Sequence, residues 1–255
     1  MTQTEPLKIQ LLSGATFPDW SVVASDEARV SLNDTLGRLR MTTQWGNMTE
    51  YEETVRRAIL EFYADTGRAP EIEALAETTG FSADDLPPLL SQLEDRDLIV
   101  LSDSEKTIDT AYPFTSRNTE HRVIIDDITL KAMCAIDALG VGAMLDRDTE
   151  IVSSCRHCGC EIHIETNCNG RAVGSVSPTE AIVWSGVQDI DGCAADTQCN
   201  VMAYFCSDDH LATWREEHDV GAQGHRLSIE QGLEAGSAIF IPFLATGKAV
   251  TEQSK

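Results

Sequence analysis

A thiol and a carboxyl, Cys134 and Asp137, lie three residues apart in the sequence, and a second isolated thiol, Cys199, follows 65 residues after the first. On a helix, positions i and i+3 share one face, so a single pocket could receive both Cys134 and Asp137. The thiolate is the metal-binding form of cysteine, and soft sulfur suits soft metal ions. Two thiolates and one carboxyl would allow an enzyme to bind a soft metal ion and to protonate the group that leaves it.

The remaining cysteines include a denser group. All eight cysteines lie between Cys134 and Cys206, and residues 155–160 contain three thiols in six positions. A Cys-x-x-Cys-Gly knuckle is half of a zinc ribbon, and tetrahedral zinc needs two more ligands. The candidates nearby are Cys160, His163, Cys168 and Cys193. The spacing predicts a second metal site at Cys155, Cys158, Cys160 and Cys168, with reduced surface or core thiols as the alternative. Cys206 receives no role.

Composition restricts the class of protein. A chain of 255 residues with 42% hydrophobic content can bury a full core. It has no apolar run of 18 residues and no basic start followed by an apolar run, so we expect no membrane span, no secretory signal and a cytoplasmic location. In such a chain, eight cysteines indicate metal-binding or catalytic thiols rather than disulfides. The formal charge of -23, with 19 basic against 42 acidic residues, argues against nucleic acid as a partner.

The first half of the chain has two predicted parts. Residues 1–47 have mixed composition with scattered glycines, and we expect an N-terminal extension that packs loosely on the rest. Residues 48–110 begin with helical periodicity, and the pattern predicts helices at about 50–66, 72–77 and 83–93 and then a strand at 99–101. This order is typical of a winged helix-turn-helix. Residues 48–101 carry 13 acidic side chains against four arginines, which favours packing or dimerisation over DNA binding.

Residues 111–255 form the predicted catalytic domain. An alternating run at 122–126 is followed by a predicted helix over about 129–143, which carries both Cys134 and Asp137. Short strands are predicted at 151–152, 162–164, 172–173, 181–184 and 201–205, with helices at about 208–218 and 229–236. The predicted fold class is α+β, a winged-helix-like module followed by a domain with a mostly antiparallel sheet.

Four segments together resemble the alkylmercury (organomercurial) lyases. The segment at 122–139, which contains Met133-Cys134-Ala135-Ile136-Asp137, is similar to the catalytic helix of that family. Three others match in the same order and at similar spacing: Val152-Ser153-Ser154-Cys155, Val176-Ser177-Pro178-Thr179-Glu180, and residues 199–214. The resemblance covers roughly residues 50–245, and four ordered matches are far more specific than any one of them.

The resemblance implies an enzyme that cleaves carbon–mercury bonds to a hydrocarbon and Hg(II). The catalytic three would be Cys134, Asp137 and Cys199, with both thiolates binding the mercury of substrate and product and Asp137 relaying a proton that it first accepts from a thiol. Soluble thiols or a mercuric reductase would then accept the Hg(II). No redox cofactor or catalytic metal would be required, because the mercury is part of the substrate.

Two departures from the family pattern leave alternatives open. Asn200 stands where the family often has a second cysteine beside the later catalytic one, and among residues 155–168 only Cys155 has an evident counterpart, a structural thiol. Residues 155–168 could therefore hold structural zinc or relay mercury. The alternative function is a non-catalytic protein that binds zinc or a soft metal on the lyase scaffold. A metal-responsive transcription regulator is disfavoured because the helical module is acidic.

Overall fold

The protein is a mixture of helices and antiparallel strands, described by a computed structural model over residues 6–38, 40–102, 107–188, 193–219 and 221–246. The α-helices are α1 (Asp26–Arg38), α2 (Glu50–Thr66), α3 (Ile72–Thr79), α4 (Leu86–Asp95), α5 (Ala135–Leu145), α6 (Asp208–Glu217) and α7 (Ile229–Leu244). The strands are β1 (Ile9–Gln10), β2 (Thr16–Phe17), β3 (Ile99–Leu101), β4 (Ile108–Ala111), β5 (Phe114–Thr115), β6 (Arg122–Ile125), β7 (Ile128–Lys131), β8 (Glu150–Ser154), β9 (Glu161–Asn167), β10 (Ala172–Ser177), β11 (Ile182–Gly186), β12 (Met202–Phe205) and β13 (Gly224–Ser228). Short 3-10 helices cover Trp20–Val22, Arg40–Asn47, Ala194–Asp196 and Gln198–Val201. The predicted α+β class is confirmed.

The strands form separate antiparallel sheets, and the two that contain β6 and β12 contact helix α5. One sheet has the order β10-β9-β8-β6-β7, a second places β11 between β12 and β13, and a third has the order β3-β4-β5. Every pairing between these strands is antiparallel, as predicted. The strand β12 is buried along its whole length, and Tyr204 on it donates a hydrogen bond of 2.9 Å to the carbonyl of Ala135 at the start of α5.

Helix α5 is buried from Ala135 to Met144 and packs closely against α7. A helix that is apolar on all sides belongs in a core. Glycines permit the close approach: a Cβ at Gly140 would lie 2.7 Å from the carbonyl oxygen of Gly236, and one at Gly236 would lie 2.6 Å from that of Ile136. The backbone of α7 therefore fixes the position of the first turn of α5.

The predicted helix over 129–143 is wrong at its start. Residues 128–131 pair with β6 as the strand β7, with Ile125 opposite Ile128 across a two-residue turn. Asp126 in that turn has a positive φ of 53°, which aspartate tolerates better than most residues. The helix begins only at Ala135, after Cys134 has capped it.

The N-terminal segment does not pack loosely, contrary to expectation. Phe17 is fully buried, and the ring of Trp45 lies edge-on to that of Phe243 with centroids 5.3 Å apart. The backbone N–H of Asp19 donates a hydrogen bond of 2.8 Å to the carbonyl of Ala238. The N-terminal segment thus packs on α7 through both side chains and backbone.

The module that follows has the predicted order of three helices and a strand, and this strand, β3, pairs with β4 in antiparallel fashion. Thr49 and Glu52 form a capping box at the start of α2, and the helix ends at Gly67 with a φ of 74°. The third helix begins at Leu86 rather than 83, and the Ser82 hydroxyl before it donates a hydrogen bond of 2.6 Å to the carboxylate of Asp85. The winged-helix interpretation and the domain boundaries at 47 and 110 stay predictions. None of the helices in the described ranges is long and apolar enough to cross a membrane.

Candidate active site

Cys134 and Asp137 meet at the first turn of α5. Cys134 is the N-cap, in extended backbone conformation, and its Sγ accepts a hydrogen bond of 3.4 Å from the backbone N–H of Asp137. A residue at N-cap and one three positions later face each other in this way because the capping side chain satisfies a free N–H of the first turn. The two groups predicted to share a helix face are therefore adjacent through capping geometry.

Cys199 completes the group from another part of the chain. It lies in the 3-10 helix Gln198–Val201, directly before β12, and its Sγ is 3.9 Å from Oδ2 of Asp137. The ligand atoms of Cys134, Asp137 and Cys199 all lie within 4.8 Å of one another. Their exposed fractions are 0%, 5% and 7%. The three residues predicted to act together are thus brought together in a buried site.

Burial controls the protonation of this triad. It raises the pKa of Asp137 to about 7, against the opposing effect of hydrogen bonds with the Cys134 and Cys199 thiols. Burial likewise raises the pKa of the Cys134 thiol. The pKa of Cys199 lies well above its usual range because of its hydrogen bond with Cys134, burial and the charge of Asp137. Both thiols therefore hold their protons near neutral pH.

A mostly apolar cavity leads to the triad. Asp137 and Cys199 line it, whereas Cys134 lies beneath them and is fully buried. The other lining residues come from the N-terminal segment, the loops that follow α4 and β4, the loop before Cys199, the strand β12, and the helices α5 and α7: Phe17, Thr35, Leu36, Trp45, Asp97, Tyr112, Ile136, Ala194, Gln198, Met202, Ile239, Phe240 and Phe243. The cavity can receive a small organic group while excluding bulk water from the carboxyl.

Asp97 and Tyr112 hold the loop that carries Cys199. The Tyr112 hydroxyl accepts a hydrogen bond of 2.7 Å from the N–H of Ala195 and donates one of 3.2 Å to Oδ1 of Asp97. The other oxygen of Asp97 accepts a bond of 3.0 Å from the N–H of Ala194. Burial raises the pKa of Asp97. Neither residue was predicted to belong to the site, because nothing in its local sequence links it to a loop about 85 to 100 positions away.

A second group of ligands lies at the other end of β12. The ligand atoms of Cys155, Cys158, Cys206 and His210 all lie within 4.8 Å of one another. Of the predicted second-site residues, Cys155 and Cys158 are therefore brought together, whereas Cys160 is exposed and outside this group. Cys168 is exposed at the turn between β9 and β10 and also lies outside it.

Two members of this group, Cys206 and His210, are not among the residues that the sequence predicts for the second site. Their signal was the Cys-x-x-x-His spacing at the junction of a strand and a helix, where Ser207 caps α6 and His210 lies in its first turn. The other candidates have different contacts: His163 pairs with Glu161 at 2.6 Å, and the Cys193 thiol bonds to Asp196 at 3.1 Å.

Comparison with known proteins gives the class that this fold and site define. The sequence model of the alkylmercury lyase family matches residues 114–241, which include Cys134, Asp137 and Cys199. The chain therefore belongs to the alkylmercury lyase family and is an enzyme of the class that cleaves carbon–mercury bonds in organomercurials.

Individual relatives agree with this assignment. The chain is 26% identical over 208 residues to the alkylmercury lyases of Bacillus cereus and Clostridium butyricum, with 82% of this chain and 90% of each relative covered. It is 26% identical over 183 residues to the alkylmercury lyase of Streptomyces lividans, with 71% of this chain and 81% of the relative covered. The crystal structure of the mercury-bound form of MerB2 shares its fold, with a TM-score of 0.68, 24% identity, and coverage of 82% of this chain and 100% of that one.

Proposed function

We propose that this enzyme cleaves the carbon–mercury bond by protonolysis, with Cys134 and Cys199 binding the mercury and Asp137 relaying the proton. One observation carries the proposal: two thiols and a carboxyl are buried together within 4.8 Å at the end of an apolar cavity. Sulfur ligands suit a soft ion such as mercury, whereas oxygen ligands would bind it weakly.

The reaction starts when an organomercurial R–Hg–X, in which X is an exchangeable ligand such as a soluble thiolate, reaches Cys199 at the cavity wall. The Cys199 thiol replaces X on the mercury: a sulfur–mercury bond forms, the bond from mercury to X breaks, and the thiol proton leaves with X as HX. The Cys134 thiol then binds the same mercury and transfers its proton to the Asp137 carboxylate, which lies within 4.8 Å of the Cys134 sulfur. Two thiolates donate electron density to the mercury and weaken its bond to carbon.

Asp137 then delivers the proton to the departing carbon. The electron pair of the carbon–mercury bond becomes the new carbon–hydrogen bond, and the hydrocarbon R–H leaves. Hg(II) stays bound by two thiolates, and Asp137 is again a carboxylate. The reaction needs no external oxidant or reductant. A carboxyl with a pKa of about 7 suits both halves of this relay, since it can accept and release a proton near neutral pH.

The bound Hg(II) must then pass to an acceptor. Soluble thiols or a mercuric reductase fit this role, because only competing sulfur ligands can remove mercury from two thiolates. On this account neither a redox cofactor nor a catalytic metal is needed. A cytoplasmic location, where reduced thiols are abundant, would supply the acceptor and keep the eight cysteines reduced.

The non-catalytic metal-binding alternative is set aside. Membership of the lyase family identifies an enzyme, and the second ligand cluster can coexist with the triad because the two occupy opposite ends of β12.

The test is release of methane into the headspace from methylmercury with excess soluble thiol. Cys134→Ser, Cys199→Ser and Asp137→Asn should each lower the rate by at least about 100-fold. Serine at position 134 keeps a side-chain oxygen that can cap α5, so a loss of activity would report the missing sulfur. The matched control is Cys168→Ser, at an exposed turn away from the site. Normal methane release by any of the three variants would refute the role of that residue.

A further inference from the structure

Cys155, Cys158, Cys206 and His210 form a four-ligand cluster outside the catalytic triad. We propose that this cluster is a structural zinc site with three thiolates and one imidazole. Structural zinc sites are closed and four-coordinate, and Cys₃His is one of their usual donor sets. The site is distinct from the mercury site, since it shares none of its residues.

The spacing of the ligand atoms fits a tetrahedron around one ion. Zn–S bonds of about 2.3 Å place neighbouring ligand sulfurs about 3.8 Å apart. The Cys158 and Cys206 sulfurs are 3.8 Å apart, and the Cys155 sulfur is 3.7 Å from Nδ1 of His210. The Cys206 sulfur is closer to Nδ1 of His210, at 2.9 Å, so these two side chains must separate by under about 1 Å to admit the ion.

The backbone presents Cys155 and Cys158 in a tight turn. The N–H of Gly159 donates a hydrogen bond of 2.8 Å to the carbonyl of Cys155, and the N–H of Cys155 donates one of 2.8 Å to the carbonyl of Cys160. Gly159 has a φ of 72°, a conformation that glycine adopts without strain. This Cys-x-x-Cys-Gly turn directs two sulfurs to the same point, as a zinc knuckle does.

The other two ligands come from the strand–helix junction after β12. Cys206 follows the last residue of β12, and Ser207 caps α6 so that His210 lies in the first turn of the helix. The spacing of four residues places Cys206 and His210 side by side. The ligands therefore join two segments that are about 50 residues apart in the sequence.

The ligand geometry favours zinc over a relay for mercury. Mercury transfer between sites needs a pair of accessible thiols and an open coordination position. Here Cys155 is buried and a nitrogen ligand completes the set, which leaves no open position once an ion is bound. Zinc is also the usual ion of closed sites made of Cys thiolates and a His imidazole.

The zinc ion would secure the strand that follows the catalytic Cys199. Arg156, inside the knuckle, donates its backbone N–H to the carbonyl of Tyr204 at 2.9 Å and its guanidinium to the carbonyl of Asn200 at 3.0 Å. Asn200 is the neighbour of Cys199 in the sequence. Loss of the ion would therefore loosen both the knuckle and the strand β12.

The experiment is metal analysis of the full chain purified without added metal or chelator. We expect about one zinc ion per chain, retained in Cys134→Ser, Cys168→Ser and Cys193→Ser. Cys158→Ser, Cys206→Ser and His210→Ala should each lose most of it. Cys158 is exposed, so its substitution by serine should leave the fold intact, and circular dichroism checks this.

A second measurement covers variants that fold poorly. Zinc is exchanged for Co(II) in the unmodified protein. The absorption spectrum of the Co(II)-substituted protein should show thiolate charge-transfer bands and the intense visible bands of a tetrahedral ion. Zinc removal should lower the melting temperature by about 5 °C or more. The proposal fails if the folded protein holds no zinc and gives no tetrahedral Co(II) spectrum, or if the cluster takes up only mercury after turnover. Methane release by the zinc-free protein separates this failure from a failure of the lyase mechanism.

Discussion

Asp137 is a buried carboxyl at the N-terminus of a helix, and its pKa is set by two opposing effects. It lies in the first turn of a helix, where the free N–H groups favour a negative charge, yet it is 5% exposed and its pKa is raised to about 7. Burial outweighs the effect of the helix terminus on the pKa of Asp137, because the buried carboxylate loses its hydrating water. The site thus keeps a carboxyl that is poised to exchange a proton, at a cost to the stability of the folded protein.

That cost predicts how stability depends on pH. A folded-state pKa of about 7, in place of 3.8, means that stability from this group is present below pH 3.8 and is lost as the pH rises through 7. Asparagine at position 137 cannot ionise. The free energy of unfolding of Asp137→Asn relative to the unmodified protein should therefore rise between pH 4 and pH 8, by roughly 4 kcal/mol.

The measurement is urea unfolding at both pH values. The matched control is Asp127→Asn, at the exposed turn between β6 and β7, which should change stability by under about 0.5 kcal/mol at either pH. An Asp137→Asn variant whose relative stability is the same at pH 4 and pH 8 would show that the carboxyl is not held in the protonated form.

At the residue scale, the sequence predicted the triad but not the full zinc ligand set. Cys134 and Asp137 could be found because residues three positions apart share a helix face, and the family resemblance identifies both of them together with Cys199. Cys206 and His210 offer only the Cys-x-x-x-His spacing, and their partners Cys155 and Cys158 lie about 50 residues earlier in the chain, so only the folded structure shows the four together. Cys168 was a reasonable candidate by spacing, but the β9–β10 hairpin carries it away from the knuckle.

At the scale of elements, the site depends on how closely α5 and α7 approach. Ile136 and Asp137 on α5 and Phe240 on α7 all line the cavity. A methyl group at Gly236 would lie 2.6 Å from the carbonyl oxygen of Ile136, and backbone cannot yield as a flexible side chain can. The close approach of α5 and α7 therefore contributes to the stability of the core and also determines the shape of the cavity.

Gly236→Ala should lower the free energy of unfolding by about 1–3 kcal/mol, because the two helices must separate. It should also reduce methane release, since Asp137 moves with α5. Gly37→Ala is the matched control, in an exposed part of α1 where an added Cβ meets nothing within 4 Å, and should be neutral or stabilising by up to about 1 kcal/mol. Chemical unfolding measures both variants, and an equal effect at the two glycines would contradict the close crossing.

The elements themselves were predictable where the pattern was strong. The helices α2 and α6 and the strands β8, β9, β11 and β12 lie where periodicity placed them. The start of α5 was misplaced because Ile128 to Lys131 read equally well as helix or strand, and only pairing with β6 decides between them. Propensity cannot supply that information, since the partner strand is a tertiary contact.

At the scale of the whole molecule, the N-terminal segment completes the cavity instead of lying apart from it. Phe17, Thr35, Leu36 and Trp45 line the cavity, and the ring of Trp45 contacts that of Phe17 with centroids 4.7 Å apart. The sequence did not reveal this arrangement because short apolar pieces between glycines carry no clear period. Much of the apolar wall of the cavity comes from this segment, so the substrate's organic group should contact it.

Trp45→Ala should raise the KM for an organomercurial by about 5-fold to 100-fold, through loss of apolar contact. It should also lower the free energy of unfolding by about 3 kcal/mol. Trp20→Ala is the matched control, because Trp20 belongs to the same segment but is not among the lining residues. Steady-state methane release gives both KM values, and an unchanged KM in Trp45→Ala would contradict the role of this segment as a cavity wall.

The central claim is that one buried triad both binds the mercury and protonates the carbon. Anomalous diffraction from crystals treated with an organomercurial tests it most directly, because it locates the metal after turnover. The account predicts mercury bonded to the sulfurs of both Cys134 and Cys199, beside Asp137, with the hydrocarbon gone. Mercury at Cys155, Cys158, Cys206 and His210, with the two buried thiols unoccupied, would contradict it.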